Sequence, residues 1–574
     1  MRIDVYELYR GIAGKRPARI AIALALIVAG VALPMALVPF EDFRFGDEPY
    51  QAHCCKFYDR AYLGMLSFWI GHLWMMVFGE RYISLRVLMT LCYVSSIAIG
   101  CGYLRHRGFS IVKCSAIFFA GAIGIILNNI TVYGWDAGSY PFVAITLCST
   151  LLYLEKPSWK RAAATGAGLA AMALARLPLI TGVPVVAAFI LYRRGIGKGN
   201  LRIAATDLAS AAGGFLLMFI ALTTLMVCSP MGYFGAITRE NTVGGHSIGY
   251  LMYIWEMCVK FAYYISATFL PGCAAIALSY YYARQKGNSL WLHIAAIAII
   301  AYTVRCAFMN MPNARDQLFW CNFGIIVPSA FFVLVAGPLG NLRSGKPLKS
   351  GLLYLAAIAA FALTQASGSD RIVERIGWTL TFAFAFGASS DYFLRERRLT
   401  FYITLFTALI VTGFYAQKLN ALNKAWLPAV HPRYATVFDG IRPYNEPGIV
   451  YAPLDSVKFI KDNLENLGLR TVAIGMVSHC YNFSIDEHGE NSGMKFYLTD
   501  EDVRNDFYRA ESREPADAVI NLAVWEDPNV DSLMTANSFL RYRATDFPRV
   551  VIYVKDSILP TLPTDPYEAW GYTK

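Results

Sequence analysis

Phe40-Glu-Asp-Phe-Arg-Phe-Gly-Asp-Glu-Pro-Tyr50 follows an apolar run from Ile20 to Pro39. A second apolar segment, Tyr62 to Phe78, comes next, and the stretch closes on Phe78-Gly-Glu-Arg-Tyr-Ile-Ser-Leu-Arg86. Glu41, Asp42, Asp47 and Glu48 therefore stand directly after what reads as a first transmembrane helix. A charged side chain at the centre of a membrane helix costs roughly 2.5–3.5 kcal/mol on insertion scales, so acids clustered at a membrane surface need water or a task.

The whole chain has a membrane composition. Of its 574 residues 56% are hydrophobic and 16% charged, where soluble domains carry about 25% charged residues. The net charge of +11 conceals two unlike parts. From Gln417 onward there are 16 Lys and Arg against 22 Asp and Glu, which leaves 35 against 18 in the preceding part. Basic charge there is a topology signal and not a nucleic-acid footprint. The twelve cysteines are scattered without a CxxC pair, and only Cys54 and Cys55 are adjacent; they read as small buried hydrophobes. The run Ile20–Pro39 lacks a small-residue cleavage site and reads as a signal anchor.

Arg10, Lys15, Arg16 and Arg19 precede the first helix and place the N-terminus in the cytoplasm. Tyr62–Phe78, at 17 residues, is near the lower limit for a span. If it lies along the outer surface, the inside loops 105–113, 155–161, 193–202, 284–288, 342–349 and 395–398 hold 18 Lys and Arg, and the outside loops 6. A crossing would invert that bias, so the segment reads as a juxtamembrane helix. Spans are expected at about 20–39, 84–104, 110–127, 141–154, 162–175, 179–192, 203–228, 261–283, 289–309, 318–336, 350–365, 377–393 and 400–416, nearly free of charge. That makes about 13, with the tail outside. Beyond Gln417, Thr471-Val-Ala-Ile-Gly-Met, Ala518-Val-Ile-Asn-Leu-Ala-Val-Trp and Arg549-Val-Val-Ile-Tyr-Val read as strands and Asp455–Leu464 as a helix. The fold class is thus a polytopic α-helical membrane protein, residues 1–416, with a C-terminal extracytoplasmic α/β domain, residues 417–574.

The outer loops gather acids and bases on one face. The first offers Asp47, Glu48, Tyr50, His53, Lys56 and Arg60; the second Asp136; the turn Leu174-Ala-Arg-Leu-Pro178 offers Arg176; a later loop offers Arg315, with Arg305 just inside the preceding span. A carboxylate there can take the proton from an attacking hydroxyl, typically worth about 10²–10⁴-fold. Arginines can hold a phosphate that departs with negative charge. The competing reading of any single acid is a solvated loop residue; for Asp42 and Asp59 it is the better one. His72 reads as structural.

At these residues the chain resembles the GT-C superfamily, in its protein O-mannosyltransferase and lipid A aminoarabinose transferase branch. The similarity is carried by the order first span, Asp47-Glu48-x-Tyr50, juxtamembrane helix, then Phe78-Gly79 and Leu85-Arg86. It continues through Gly166–Arg194 and Arg315–Gly337. Ala61-Tyr62-Leu63 stands where the family commonly has Pro-Pro-Leu, and Ala175-Arg176 where it has Thr-Lys. The resemblance implies an inverting transfer of sugar from a polyprenyl-phosphate donor to a lipid, glycan or protein acceptor outside a bacterial inner membrane. It implies Asp47 as catalytic carboxylate with Glu48 beside it and Asp136 as a second acid. Arg176 and Arg315, with Arg305, Lys56 and Arg60, would bind the donor phosphate, and Tyr50 and His53 would face substrate. Some members place a divalent metal, magnesium or manganese, between acid and phosphate, and Asp47, Glu48 and Asp136 are the acids that would hold it. The alternative class is a transporter or flippase of a lipid-linked or anionic substrate, which would bury charge near mid-membrane.

Overall fold

The computed structural model describes residues 16–37, 47–56, 58, 64–127, 133–196, 200–227 and 229–241. It further describes positions 357, 360, 361 and 364, and in the tail 451–474, 516–522, 528–544 and 550–571. The expected spans between 261 and 416, the total of 13 and the boundary at 416/417 lie outside the described residues.

Among the described residues five helices are long and apolar enough to cross a membrane: Arg16–Ala36, Tyr82–His106, Trp135–Glu155, Leu177–Gly195 and Leu201–Met226. The chain is a multi-pass α-helical membrane protein. In order, α1 is Arg16–Leu37, α2 Asp47–Lys56, α3 Met65–Phe78, α4 Tyr82–His106, α5 Ile111–Leu127, α6 Trp135–Glu155 and α7 Trp159–Ala175. Then a 3₁₀ turn at Leu177–Thr181 leads into α8, Gly182–Ile190, which loosens to a π-helical turn at Leu191–Ile196. Last come α9, Leu201–Val227, and α10, Pro230–Asn241. Ile20, Leu24 and Val28 of α1 and Leu216, Leu217 and Leu225 of α9 are exposed, as lipid-facing flanks require.

Helices α4 and α6 run parallel. Tyr93 and Tyr140 meet edge to face at 5.6 Å, and the Tyr103 hydroxyl donates to Glu155 Oε1 at 2.6 Å. The starts of α4 and α6 therefore share one end of the bundle, as does the close of α7. Between α7 and α9 the backbones touch: a Cβ at Gly166 would overlap the Ala211 carbonyl, and one at Gly214 the Ala163 carbonyl. Small residues allow that approach where water-driven burial gives no help.

Helix α3 is short for a crossing. Its 14 residues span about 21 Å at 1.5 Å per residue, against about 30 Å of hydrocarbon. Its first turn meets the end of α7, where Ser67 Oγ donates to the Ala175 carbonyl at 2.8 Å. Its last turns meet the start of α4, where Trp74 Nε1 donates to the Ser84 carbonyl at 2.9 Å. Both ends thus rest on one end of the bundle, with Met76, Val77 and Phe78 turned outward. The chain then reverses at Gly79, whose φ of +87° is left-handed and strained for any other residue.

In the tail, α11 (Tyr451–Asn466) precedes β1 (Thr471–Ile474), β2 (Ala518–Leu522), α12 (Pro528–Ala536), β3 (Phe539–Ala544) and β4 (Val550–Lys555). The sheet order is β1-β2-β4-β3, with β1 parallel to β2 and the other pairs antiparallel. Alternation divides its faces. Ala518, Ile520, Ile552 and Val554 share one buried set with Ile460 and Leu464 of α11. Val519, Val551 and Tyr553 share another with Val530, Leu533 and Met534 of α12. The three runs read as strands are strands over Thr471–Ile474, Ala518–Leu522 and Val550–Lys555, and the rest of each run lies outside the described residues. The sequence reading did not find β3, because Arg541 and Arg543 break its apolar pattern.

Candidate active site

The end of the bundle capped by α3 collects the outer-loop residues. Asp136 stands in the first turn of α6 and Arg176 is the C-cap of α7. Each charge complements the helix terminus it sits on, an acid at an N-terminus and a cation at a C-terminus. The two make an ion pair, Arg176 Nε to Asp136 Oδ1 at 2.9 Å, with side-chain exposures of 6% and 24%. The guanidinium is thus enclosed while the carboxylate faces outward. Arg176 is fixed in place by its neighbour, since the Ala175 carbonyl is held by Ser67. Ser67 in turn offers its own carbonyl to the Tyr133 hydroxyl at 2.7 Å. Burial pushes the Tyr133 phenol up, so it stays a neutral donor. Gly138 leaves room for Ser67, whose Cβ and Oγ would both be 2.5 Å from a Cβ there.

Helix α2 brings the first-loop residues to the same place. Asp47, Glu48 and Tyr50 form its first turn. Gln51 Oε1 accepts the Trp135 N–H at 3.3 Å, one residue before Asp136. Cys55 packs against Gly71 of α3 and the Tyr133 side chain crowds the same glycine. Burial, and secondarily Cys54 beside it, pushes the Cys55 thiol well up. His53 of α2 is buried, at 3% exposure. Lys56 pairs with Glu80 at 3.2 Å, which fastens the last turn of α2 to the reversal after α3. Tyr58 and His72 meet as tilted rings, 4.9 Å between centroids, in keeping with a structural role for that histidine.

Of the residues expected at the site, Asp136 and Arg176 are brought into contact, and α2, which carries Asp47 and Glu48 in its first turn, is tied through Gln51 to Trp135, the neighbour of Asp136. Arg60, Arg305 and Arg315 lie outside the described residues, as do the side chains of Asp47, Glu48 and Tyr50. Sequence reasoning missed Gln51, Ser67 and Tyr133, and singled out Arg86 only within the resemblance, with no role at the site. Arg86 stands in the second turn of α4 at this same end and is wholly buried. An arginine in an apolar helix is costly and seldom fully buried unless partnered, which was the signal available for it. For a metal, Asp136 is engaged by Arg176, and among the described residues no three His, Cys, Asp or Glu side chains gather as a ligand set. No step below is routed through one.

The opposite end holds a second ion pair. Asp207 of α9 is buried; its Oδ2 accepts from Tyr153 at 2.7 Å and from Arg194 Nε at 3.0 Å. The expectation that the spans are nearly free of charge therefore fails at Asp207, where one acid in a 27-residue apolar helix is compensated locally. Arg161, Arg193 and Arg194 donate to the Leu152, Leu154 and Pro157 carbonyls at 2.6, 2.8 and 2.7 Å. They bind carbonyls in the last turn of α6 and just past its end, where helix acceptors lack intrahelical donors. The basic loops 105–113, 155–161 and 193–202 meet at this end, away from Asp136.

No family model matches the chain, and no curated protein matches it by sequence. Among solved structures, ArnT from Cupriavidus metallidurans in the apo state is similar at 12% identity and a TM-score of 0.39. That match covers 93% of this chain and 98% of the other. ArnT from the same organism bound to undecaprenyl phosphate is similar at 11% identity and a TM-score of 0.38, covering 95% and 99%.

Proposed function

We propose that the protein is an inverting GT-C-type membrane glycosyltransferase, moving a sugar from a polyprenyl-phosphate donor to an acceptor at the outer face of a bacterial inner membrane. What supports the reading is the Asp136–Arg176 pair, set at the end of the bundle where α2 delivers Asp47 and α3 lies flat. A lipid phosphate is presented at just such a surface. The acceptor's nucleophilic oxygen or nitrogen attacks the anomeric carbon from the face opposite the phosphate and gives its proton to Asp47. The bond from that carbon to the phosphate oxygen breaks, and polyprenyl phosphate leaves with the electron pair. Arg176 stabilises that departing anion; its guanidinium is already enclosed, and electrostatic help grows as water is excluded. Asp136 holds Arg176 in position, and Glu48 stands beside Asp47. Arg315 and Arg305 are assigned to the same phosphate from the later loops, with Lys56 and Arg60 from the first.

In this reading the N-terminus is cytoplasmic, and the tail from 417 is a periplasmic α/β domain with an accessory role in docking the acceptor. A transporter reading draws no support from Asp207, which is tied to Arg194 and Tyr153 near the start of α9. The test is transfer of labelled sugar from a polyprenyl-phosphate donor by membranes containing the protein. Asp47→Asn is expected to lower turnover by about 10²–10⁴-fold, the usual worth of a positioned general base. Wild-type turnover in that variant removes Asp47 from the mechanism.

A further inference from the structure

The first N–H groups of a helix have no partner within it. At the start of α6 the N-cap residue is Gly134, which has no side chain to supply one. The acceptor comes from another helix, 84 positions away: Gln51 Oε1 of α2 takes the Trp135 N–H. Gln51 is buried, at 4% exposure. A Cβ at position 134 would overlap its carboxamide. The φ of Gly134 is 179°, extended backbone open to any residue, so glycine is required here for space and not for conformation. Gln51 lies four positions after Asp47 in α2, the spacing that puts two residues on one helix face. Trp135 immediately precedes Asp136.

We infer that Gln51 is a positioning residue: its carboxamide caps α6 in trans and so fixes the separation between Asp47 and the Asp136–Arg176 pair. The inference rests on the proposed sugar transfer, where both carboxylates must stand in fixed relation to one donor phosphate. The contact is a direct polar tie from α2 to the start of α6, added to the packing of Cys55 beside Tyr133 and to the Lys56–Glu80 pair. Removing the acceptor leaves each carboxylate in place on its own helix and frees the spacing between them.

Two measurements test this in the full-length protein in membranes. In the first, transfer is compared among wild type, Gln51→Met, which keeps the length and loses the acceptor, and Gln51→Glu, which keeps an acceptor oxygen. Misplacement by about 1 Å can cost about 10²-fold, so Gln51→Met should lose about that in kcat with donor KM and thermal midpoint little changed. Gln51→Glu should retain most of the rate. Gly134→Ala should lose rate as Gln51→Met does, and adding Gln51→Ala to it should cost nothing further. Wild-type kcat in Gln51→Met, or equal loss in Gln51→Met and Gln51→Glu, overturns the assignment.

The second measurement needs no activity: distances between spin labels carried on unnatural amino acids at positions 47 and 136. The distribution should broaden in Gln51→Met, and an unchanged distribution overturns the assignment. Failure of the wild-type protein to transfer any sugar defeats the enzyme reading, and the label distances then decide the clasp by themselves.

Discussion

The two ends of the helical bundle each hold an aspartate–arginine pair, and the pairs are built in opposite ways. At the far end the acid is the buried partner: Asp207, at 3% side-chain exposure, receives Tyr153 and Arg194 on one oxygen. Arg194 spends a further donor on the Pro157 carbonyl. Every group there closes a helix terminus or another group in the same knot. At the α3 end the arginine is the buried partner and Asp136, at 24%, faces outward. An enclosed cation beside a partly exposed carboxylate, next to the Trp135 N–H that Gln51 of α2 receives, can meet an incoming anion. In a membrane protein, then, an ion pair by itself does not mark a site. Which partner faces water separates architecture from chemistry.

That contrast can be broken by mutation. Removing one partner of a buried pair leaves the other uncompensated, which costs about 3–5 kcal/mol. Asp207→Ala should therefore lower the thermal midpoint sharply and reduce folded protein in the membrane, while the molecules that fold keep their turnover. Asp136→Ala leaves the enclosed Arg176 uncompensated in the same way and should also lower the midpoint, but here the molecules that fold should lose transfer. Next in size is the backbone contact between α7 and α9. Gly214→Val forces the helices apart and should cost about 1–3 kcal/mol, as overpacking does, read as a lower midpoint in detergent. Tyr103→Phe removes one hydrogen bond to Glu155 at the far end and should cost about 1 kcal/mol, with transfer unaffected. The smallest effect concerns Cys55. Burial raises its thiol, so its thiolate is scarce at neutral pH, and alkylation should be slow until pH climbs well past that of an ordinary cysteine. Rapid labelling of Cys55 in folded protein would show that α2 does not pack on α3 and Tyr133 as described.

The helices were legible in the sequence because a span is a long apolar run, and the basic loops fixed which termini share an end. The flat placement of α3 followed from that charge census, and Trp74 and Ser67 show its two ends on one face of the bundle. Asp136 and Arg176 were visible as charged residues at the borders of apolar runs, although nothing in the sequence says that they touch. Contacts such as Gln51 with Trp135, or Ser67 with Ala175, were out of reach, since each joins ordinary residues across a large separation. Asp207 was passed over because one acid barely lowers the hydropathy of a long window, and its partners are a loop arginine and a tyrosine on another helix. In the tail, β2 and β4 were legible as apolar runs, whereas β3 carries two arginines and was not.

The most direct test places the two acids side by side: sugar transfer from a polyprenyl-phosphate donor, per folded molecule, in Asp136→Asn and Asp207→Asn. The account predicts a loss of about 10²-fold or more in the Asp136→Asn molecules that fold, and near wild-type turnover in the Asp207→Asn molecules that fold. Wild-type turnover in Asp136→Asn, or an equal catalytic loss in both, would contradict it.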